Sequence, residues 1–143
     1  MPCCAAIRKK ERMDKMKIEH AALYVNDLER ALKFYADYFG GKPGALYHNP
    51  RTGFRSYFVS FEDGARLEIM SRETDLEDLP KPAARTGFAH LCFAVGSKEK
   101  VDAMTEQWKK DGYTIVSGPR TTGDGYYETC MLDAEGNQIE ITV

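Results

Sequence analysis

Two stretches, IEHAALYV (18–25) and GFAHLCFAV (87–95), each place a histidine at the head of an otherwise apolar run, and the segments downstream of each histidine decide the fold. From His20 the chain reads as a strand, then Asn26-Asp27 as a cap, then a helix carrying Leu28, Ala31, Leu32, Tyr35 and Phe39 on one stripe, stopped by Gly40-Gly41. From His90 the order repeats. Ser97 caps a second helix with Val101, Met104, Thr105 and Trp108 on one stripe, and Gly112 ends it. Three strand-like segments come after each helix, near 44–49, 54–61 and 65–71 in the first half and near 113–118, 126–132 and 137–143 in the second. Each half therefore reads βαβββ, and the fold class expected is α+β, with two such modules forming a curved mixed-sheet cup.

The closing strands make the repeat sharpest. DGARLEI (63–69) and EGNQIEI (135–141) each set a glycine four residues before a glutamate, Glu68 and Glu140. The histidine-to-glutamate separations, 68 − 20 = 48 and 140 − 90 = 50, differ only by a small loop change. The expected organisation is a disordered basic tail over 1–16, a first module over 17–71, a polar, proline-bearing linker over 72–86 and a second module over 87–143.

Strand periodicity then sorts the side chains. Leu23 and Val25 share the face that packs under a helix, which leaves His20, Ala22 and Tyr24 on the other; Leu91, Phe93 and Val95 likewise oppose His90, Cys92 and Ala94. Leu67 and Ile69 oppose Arg66, Glu68 and Met70, while Ile139, Ile141 and Val143 oppose Gln138, Glu140 and Thr142. All four of His20, Glu68, His90 and Glu140 project from the helix-free face. Two imidazoles and two carboxylates lining one cup make a mixed nitrogen and oxygen site for a divalent transition metal, with nickel, zinc, cobalt, iron and manganese all compatible. His48, in the turn-like HNPRTG, reads as a surface hairpin residue, and Cys92 as a small core residue.

Composition limits the partners. With 20 basic against 22 acidic residues and a net charge of −2, no global field draws the chain to nucleic acid or to an anionic membrane, so a small-molecule substrate is expected. No apolar run approaches the roughly 20 residues of a membrane span, and MPCCAAIRKKERMDKM has its charges in the wrong order for a secretory signal. Cys3, Cys4, Cys92 and Cys130 form neither a disulfide framework nor a CxxC pair, and a cytoplasmic location is expected.

Paired βαβββ modules, a histidine opening each, a glutamate closing each and the final DAEGNQIEI together resemble the vicinal oxygen chelate superfamily over residues 17–143. Its members include glyoxalase I, methylmalonyl-CoA epimerase, fosfomycin-resistance enzymes, extradiol dioxygenases and metal-free bleomycin-binding proteins. The full set His20, Glu68, His90 and Glu140 is most similar to glyoxalase I. The resemblance implies a metal-dependent lyase or isomerase that moves a proton beside a carbonyl of a small carbonyl or thiol-adduct substrate, through an enediolate, with Glu140 or Glu68 as the base and Glu140 favoured. It also implies a homodimer whose cup draws His20 and Glu68 from one chain and His90 and Glu140 from the other; a cup closed within one chain is the alternative. In glyoxalase I an arginine and an asparagine that hold glutathione stand where this chain has Tyr24 and Arg72, so these two are the expected substrate-binding residues and glutathione is not the expected thiol. Two other activities use the same fold. A ligand-sequestering protein of the bleomycin type would line its pocket with Tyr47, Phe54, Tyr57, Tyr126 and Tyr127, and a fosfomycin-type enzyme would draw on Arg51, Arg55, Arg66, Arg72 or Arg120.

Overall fold

A computed structural model describes residues 18–74, 76–77 and 86–143; the basic tail over 1–16 and most of the 72–86 linker lie outside the described residues. The first module runs β1 (His20–Tyr24), α1 (Leu28–Phe39), β2 (Lys42–Pro43), β3 (Tyr47–Asn49), β4 (Phe54–Ser60) and β5 (Arg66–Ser71). The second runs β6 (His90–Ala94), α2 (Lys98–Lys110), β7 (Ile115–Thr121), β8 (Tyr127–Leu132) and β9 (Gln138–Thr142). The architecture is α+β, as the pattern predicts. One departure is the single strand expected over 44–49: only its last three residues form β3, and a separate two-residue β2 precedes it, both paired to β4, with the Gly44 amide still donating to the Phe58 carbonyl at 2.8 Å.

Each helix is built as its sequence dictates. The Asp27 carboxylate accepts the Arg30 amide and the Ser97 hydroxyl accepts the Lys100 amide, so each helix starts with one otherwise orphaned donor satisfied. Of the Asn26-Asp27 pair, Asp27 is the cap. α1 stops at Gly40, whose φ of +65° is the left-handed turn that closes the last carbonyls.

Apart from β3, which has no counterpart, the sheets repeat one another strand for strand. Order β1-β5-β4-β2 in the first corresponds to β6-β9-β8-β7 in the second, with a parallel pair formed by the first and last long strands of each module. His20 lies opposite Arg66 and Ala22 opposite Glu68; His90 lies opposite Gln138 and Cys92 opposite Glu140. Alternation is strict in β1 and β6, and Leu67, Ile69, Ile139 and Ile141 are buried under the helices. At the chain's end the pattern reverses: Val143 is exposed, while Thr142 is buried and donates its hydroxyl to the Tyr127 carbonyl at 3.1 Å. Val143 lies past the last residue of β9, where the ladder no longer presses a side chain onto the core.

One continuous core joins the modules, and α1 supplies the joint. Phe39 stacks on Phe93 at 4.1 Å, Phe34 meets Tyr113 at 5.2 Å, and both Tyr38 and Phe39 approach Trp108. The Tyr35 hydroxyl donates to Asp133 at 2.9 Å, and Asp133 in turn accepts the amides of Glu135 and Asn137, so the DAEGN turn ahead of β9 is tied to the first module's helix. Burial and the adjacent carboxylate push the Tyr35 phenol well above its usual range, which keeps it a donor. Tyr35→Phe removes that donor and nothing else. Because the Asn137 amide still serves Asp133, the expected cost is about 1–2 kcal/mol, read from denaturant midpoints at unchanged slope.

Candidate metal centre

The helix-free face of the first sheet carries His20, Tyr24 and Glu68 together with Arg66 and Phe58 from neighbouring positions. His20 Nε2 stands 3.9 Å from Glu68 Oε2. Its ring meets Phe58 edge-on at 5.2 Å, and Nδ1 donates to Glu19. That hydrogen bond, with a second one from Arg66, holds the Glu19 carboxyl below the usual carboxylate range. The guanidinium of Arg72 lies over the Tyr24 ring, 5.7 Å from its centroid, so the two residues singled out for substrate contact are neighbours at one end of this face.

On the second sheet His90 Nε2 stands 3.0 Å from Glu140 Oε2. Strand pairing sets Cys92 on one side of Glu140 and Cys130 on the other, with Glu128 further along β8 opposite Thr142. A bulged β7 brings Arg120 opposite Glu128, with 3.7 Å between guanidinium and carboxylate. Gly118 makes that bulge possible, since a Cβ there would come within 2.5 Å of the Glu128 carbonyl oxygen. Burial pushes the Glu140 carboxyl above the usual range; His90 opposes this and Glu128 reinforces it. Both thiols are pushed up by burial first and then by Glu140 and Glu128, Cys130 to about 11. Neither is a ready nucleophile at neutral pH.

The four expected ligands are thus gathered in pairs. Among the described residues no group of three or more His, Cys, Asp or Glu side chains is close enough to hold a metal ion. Each pair nonetheless has the spacing of adjacent ligands on one ion. Two ligands at about 2.1 Å and at right angles stand about 3.0 Å apart, which His90 and Glu140 match and which a small rotation of His20 or Glu68 reaches.

Several expectations need correcting. Cys92 is exposed on the ligand-bearing face, because β6 alternation puts it beside His90 and only a buried neighbour on that face would have hidden it. Tyr57 and Tyr127 belong to the opposite face: their hydroxyls donate to Glu29 of α1 and Asp102 of α2. Arg55 also pairs with Glu29 there. Tyr47 and Phe54 do share the ligand-bearing side, with ring centroids 6.0 Å apart, and Tyr126 is exposed in the loop before β8. His48 is exposed in β3, as a hairpin residue should be. Glu19, Phe58, Glu128 and Cys130 were not anticipated near the ligands. The period-two parity of YETCML would have placed Glu128 and Cys130 on the ligand face.

The family model of the Glyoxalase/Bleomycin resistance protein/Dioxygenase superfamily matches residues 17–141. The chain belongs to this superfamily. Among its relatives, the uncharacterized protein YqjT of Bacillus subtilis is 27% identical over 128 residues, covering 87% of this chain and 96% of that one. Lactoylglutathione lyase of Haemophilus influenzae is 28% identical over 130 residues, covering 87% and 90%. The crystal structure of a glyoxylase/bleomycin resistance protein/dioxygenase domain from Frankia sp. EAN1pec superposes with a TM-score of 0.74 at 20% identity, over 90% of this chain and 97% of that one, and shows the same fold. Superfamily membership at this identity fixes the architecture and leaves the reaction to be argued from the site. Among the described residues no helix is long and apolar enough to cross a membrane.

Proposed function

We propose that the protein is a divalent-metal-dependent lyase or isomerase of the glyoxalase I type, whose metal centre is completed when the His20–Glu68 pair of one chain faces the His90–Glu140 pair of a second copy. The observation that carries this is the pairing itself: two His–Glu pairs at repeat-equivalent positions, each at ligand spacing, on sheet faces that no helix of their own module covers. A divalent ion held by the four side chains supplies Lewis acidity that acidifies a C–H beside a carbonyl.

The chain's own groups do the rest. Glu140 takes the proton at a carboxylate oxygen. Cys92 and Cys130 on either side of it are neutral thiols that bring no competing charge. The same Glu140 carboxyl then returns that proton to the neighbouring carbon, and Glu68 is the second carboxylate, which stays ionised on the opposite pair. Tyr24 and Arg72 hold the distal part of the substrate, a small carbonyl compound or thiol adduct.

Shared and single-chain centres separate in one experiment. The double variant His20→Ala with His90→Ala is expected to bind no divalent metal by elemental analysis after loading. Co-expressing the two single variants is expected to return roughly a quarter of the wild-type metal content, since half of randomly paired dimers are mixed and each mixed dimer has one intact site of two. No recovery, with the mixed dimer confirmed by mass, would exclude the shared arrangement.

The thiol is expected not to be glutathione. Where glyoxalase I has an arginine four residues after the first histidine, Tyr24 offers a single neutral hydroxyl, and losing a charge-assisted clamp on a carboxylate costs on the order of 1.5–3 kcal/mol, about ten- to a hundredfold in affinity. Arg72 brings its guanidinium over the Tyr24 ring from beyond the end of β5, so it meets a substrate from a different position than that arginine. The methylglyoxal–glutathione hemithioacetal is therefore expected to be turned over poorly, with other thiol adducts or small hydroxycarbonyls preferred. A kcat/KM above about 10⁶ M⁻¹s⁻¹ with that adduct would sink the expectation.

A further inference from the structure

The two histidines of the repeat are held differently. His20 Nδ1 donates to Glu19 Oε2 at 2.5 Å, and the other oxygen of Glu19 accepts from Arg66 Nε at 2.7 Å. Arg66 is itself laid over the Phe58 ring, 4.1 Å from its centroid, and Phe58 meets the His20 ring edge-on. The backbone ties the same residues together, since the Arg66 amide donates to the Glu19 carbonyl at 2.9 Å. The second module has none of these parts. Ala89 precedes His90 where Glu19 precedes His20; Gln138 is in register with His90 where Arg66 is with His20; Cys130 faces Glu140 where Phe58 faces Glu68.

We infer that Glu19, braced by Arg66 and Phe58, holds His20 as the Nδ1–H tautomer with Nε2 turned toward Glu68, and so is a positioning residue for the metal centre proposed above. The chemistry runs through the ring's two nitrogens. A ligand nitrogen must present a lone pair, and a free imidazole in water prefers to keep its proton on Nε2, the nitrogen that here faces Glu68. A carboxylate on Nδ1 reverses that preference, fixes the ring plane and makes Nε2 a stronger donor to a cation. Without Glu19 the ring loses the partner that selects both its tautomer and its rotation, while His90 keeps its own environment. Because Glu19 is exposed, its replacement leaves the fold intact.

This inference rests on the metal-centre reading for its consequence but not for its test. Long-range ¹H–¹⁵N spectra of the imidazoles, recorded on the metal-free protein above the usual imidazole titration range, report each tautomer directly. The wild type is expected to show His20 as Nδ1–H; Glu19→Ala is expected to move it to Nε2–H or a mixture with His90 unchanged, and Glu19→Gln, which retains an acceptor oxygen, to restore most of it. Titration with Ni²⁺ alone against a competing chelator is expected to show ten- to a hundredfold weaker binding for Glu19→Ala and partial rescue by Glu19→Gln. A wild-type His20 in the Nε2–H form, or a tautomer indifferent to Glu19→Ala, overturns the inference. A changed tautomer with unchanged Ni²⁺ affinity removes Glu19 from the metal centre. A wild type that binds no Ni²⁺ defeats the metal-centre reading instead, and the spectra still decide whether Glu19 positions His20.

Discussion

Replacing Glu140 by Gln is expected to lower turnover by about 10²–10⁴-fold, the range that a positioned general base contributes. Gln keeps the shape and one oxygen at this position but cannot accept a proton at neutral pH, so the loss should appear in kcat and in kcat/KM alike. The position concentrates the expected effect for a structural reason. Glu140 sits in the middle of its sheet between β6 and β8, paired to Cys92 and Cys130, and His90 is its close counter-group. The other carboxylate on that face, Glu128, is engaged with Arg120 instead. Exchange of the substrate's acidic C–H for deuterium, monitored by NMR over a panel of hemithioacetals and hydroxycarbonyls at matched metal content, isolates the proton-transfer step. Near wild-type exchange in Glu140→Gln would remove it from the role of base and leave Glu68 as the candidate.

The largest effect on stability is expected from Trp108→Ala, at about 3–5 kcal/mol. Trp108 is fully buried, lies on the α2 stripe with Val101 and Thr105, and meets Tyr38 and Phe39 of α1, so truncation opens a cavity at the seam between the modules. A domain of this size has only about 5–15 kcal/mol to lose, and the melting temperature should fall on the order of 10 °C. Trp108→Phe separates packing from polarity. The indole Nε1–H is buried without a hydrogen-bond partner among the described residues, so Phe removes an unsatisfied donor while keeping most of the ring volume, and the two effects offset one another. Its cost should stay below about 2 kcal/mol. Equal losses for the two variants would show that the cavity is not what Trp108 prevents.

The aromatic seam also shows why some features were legible in the linear sequence and others were not. The stripe of α1 and the stripe of α2 are each visible at helical spacing, so burial of Leu28, Ala31, Tyr35, Val101, Thr105 and Trp108 can be read from period alone. That Phe39 would stack on Phe93, or that Tyr35 would reach Asp133, is a property of how the two modules dock, and no local period encodes a contact between residues so far apart in sequence.

The same division runs through the site. Because a strand alternates every second residue and the two modules repeat, the sequence by itself determined that His20, Glu68, His90 and Glu140 lie on helix-free sheet faces, and that each histidine shares that face with its glutamate. The resemblance to the superfamily rests on the same repeat, since the equivalent places of these four residues and the βαβββ order are both visible along the chain. Only the tertiary structure decided that these four residues are gathered in pairs within one chain, that Cys92 is exposed beside His90, that Tyr57 and Tyr127 turn to the helices, and that Glu19 and Arg66 brace one histidine and not the other. Parity tells which face a side chain takes; what meets it on that face depends on the register between strands and on the packing of one sheet against its surroundings, which are set by long-range contacts.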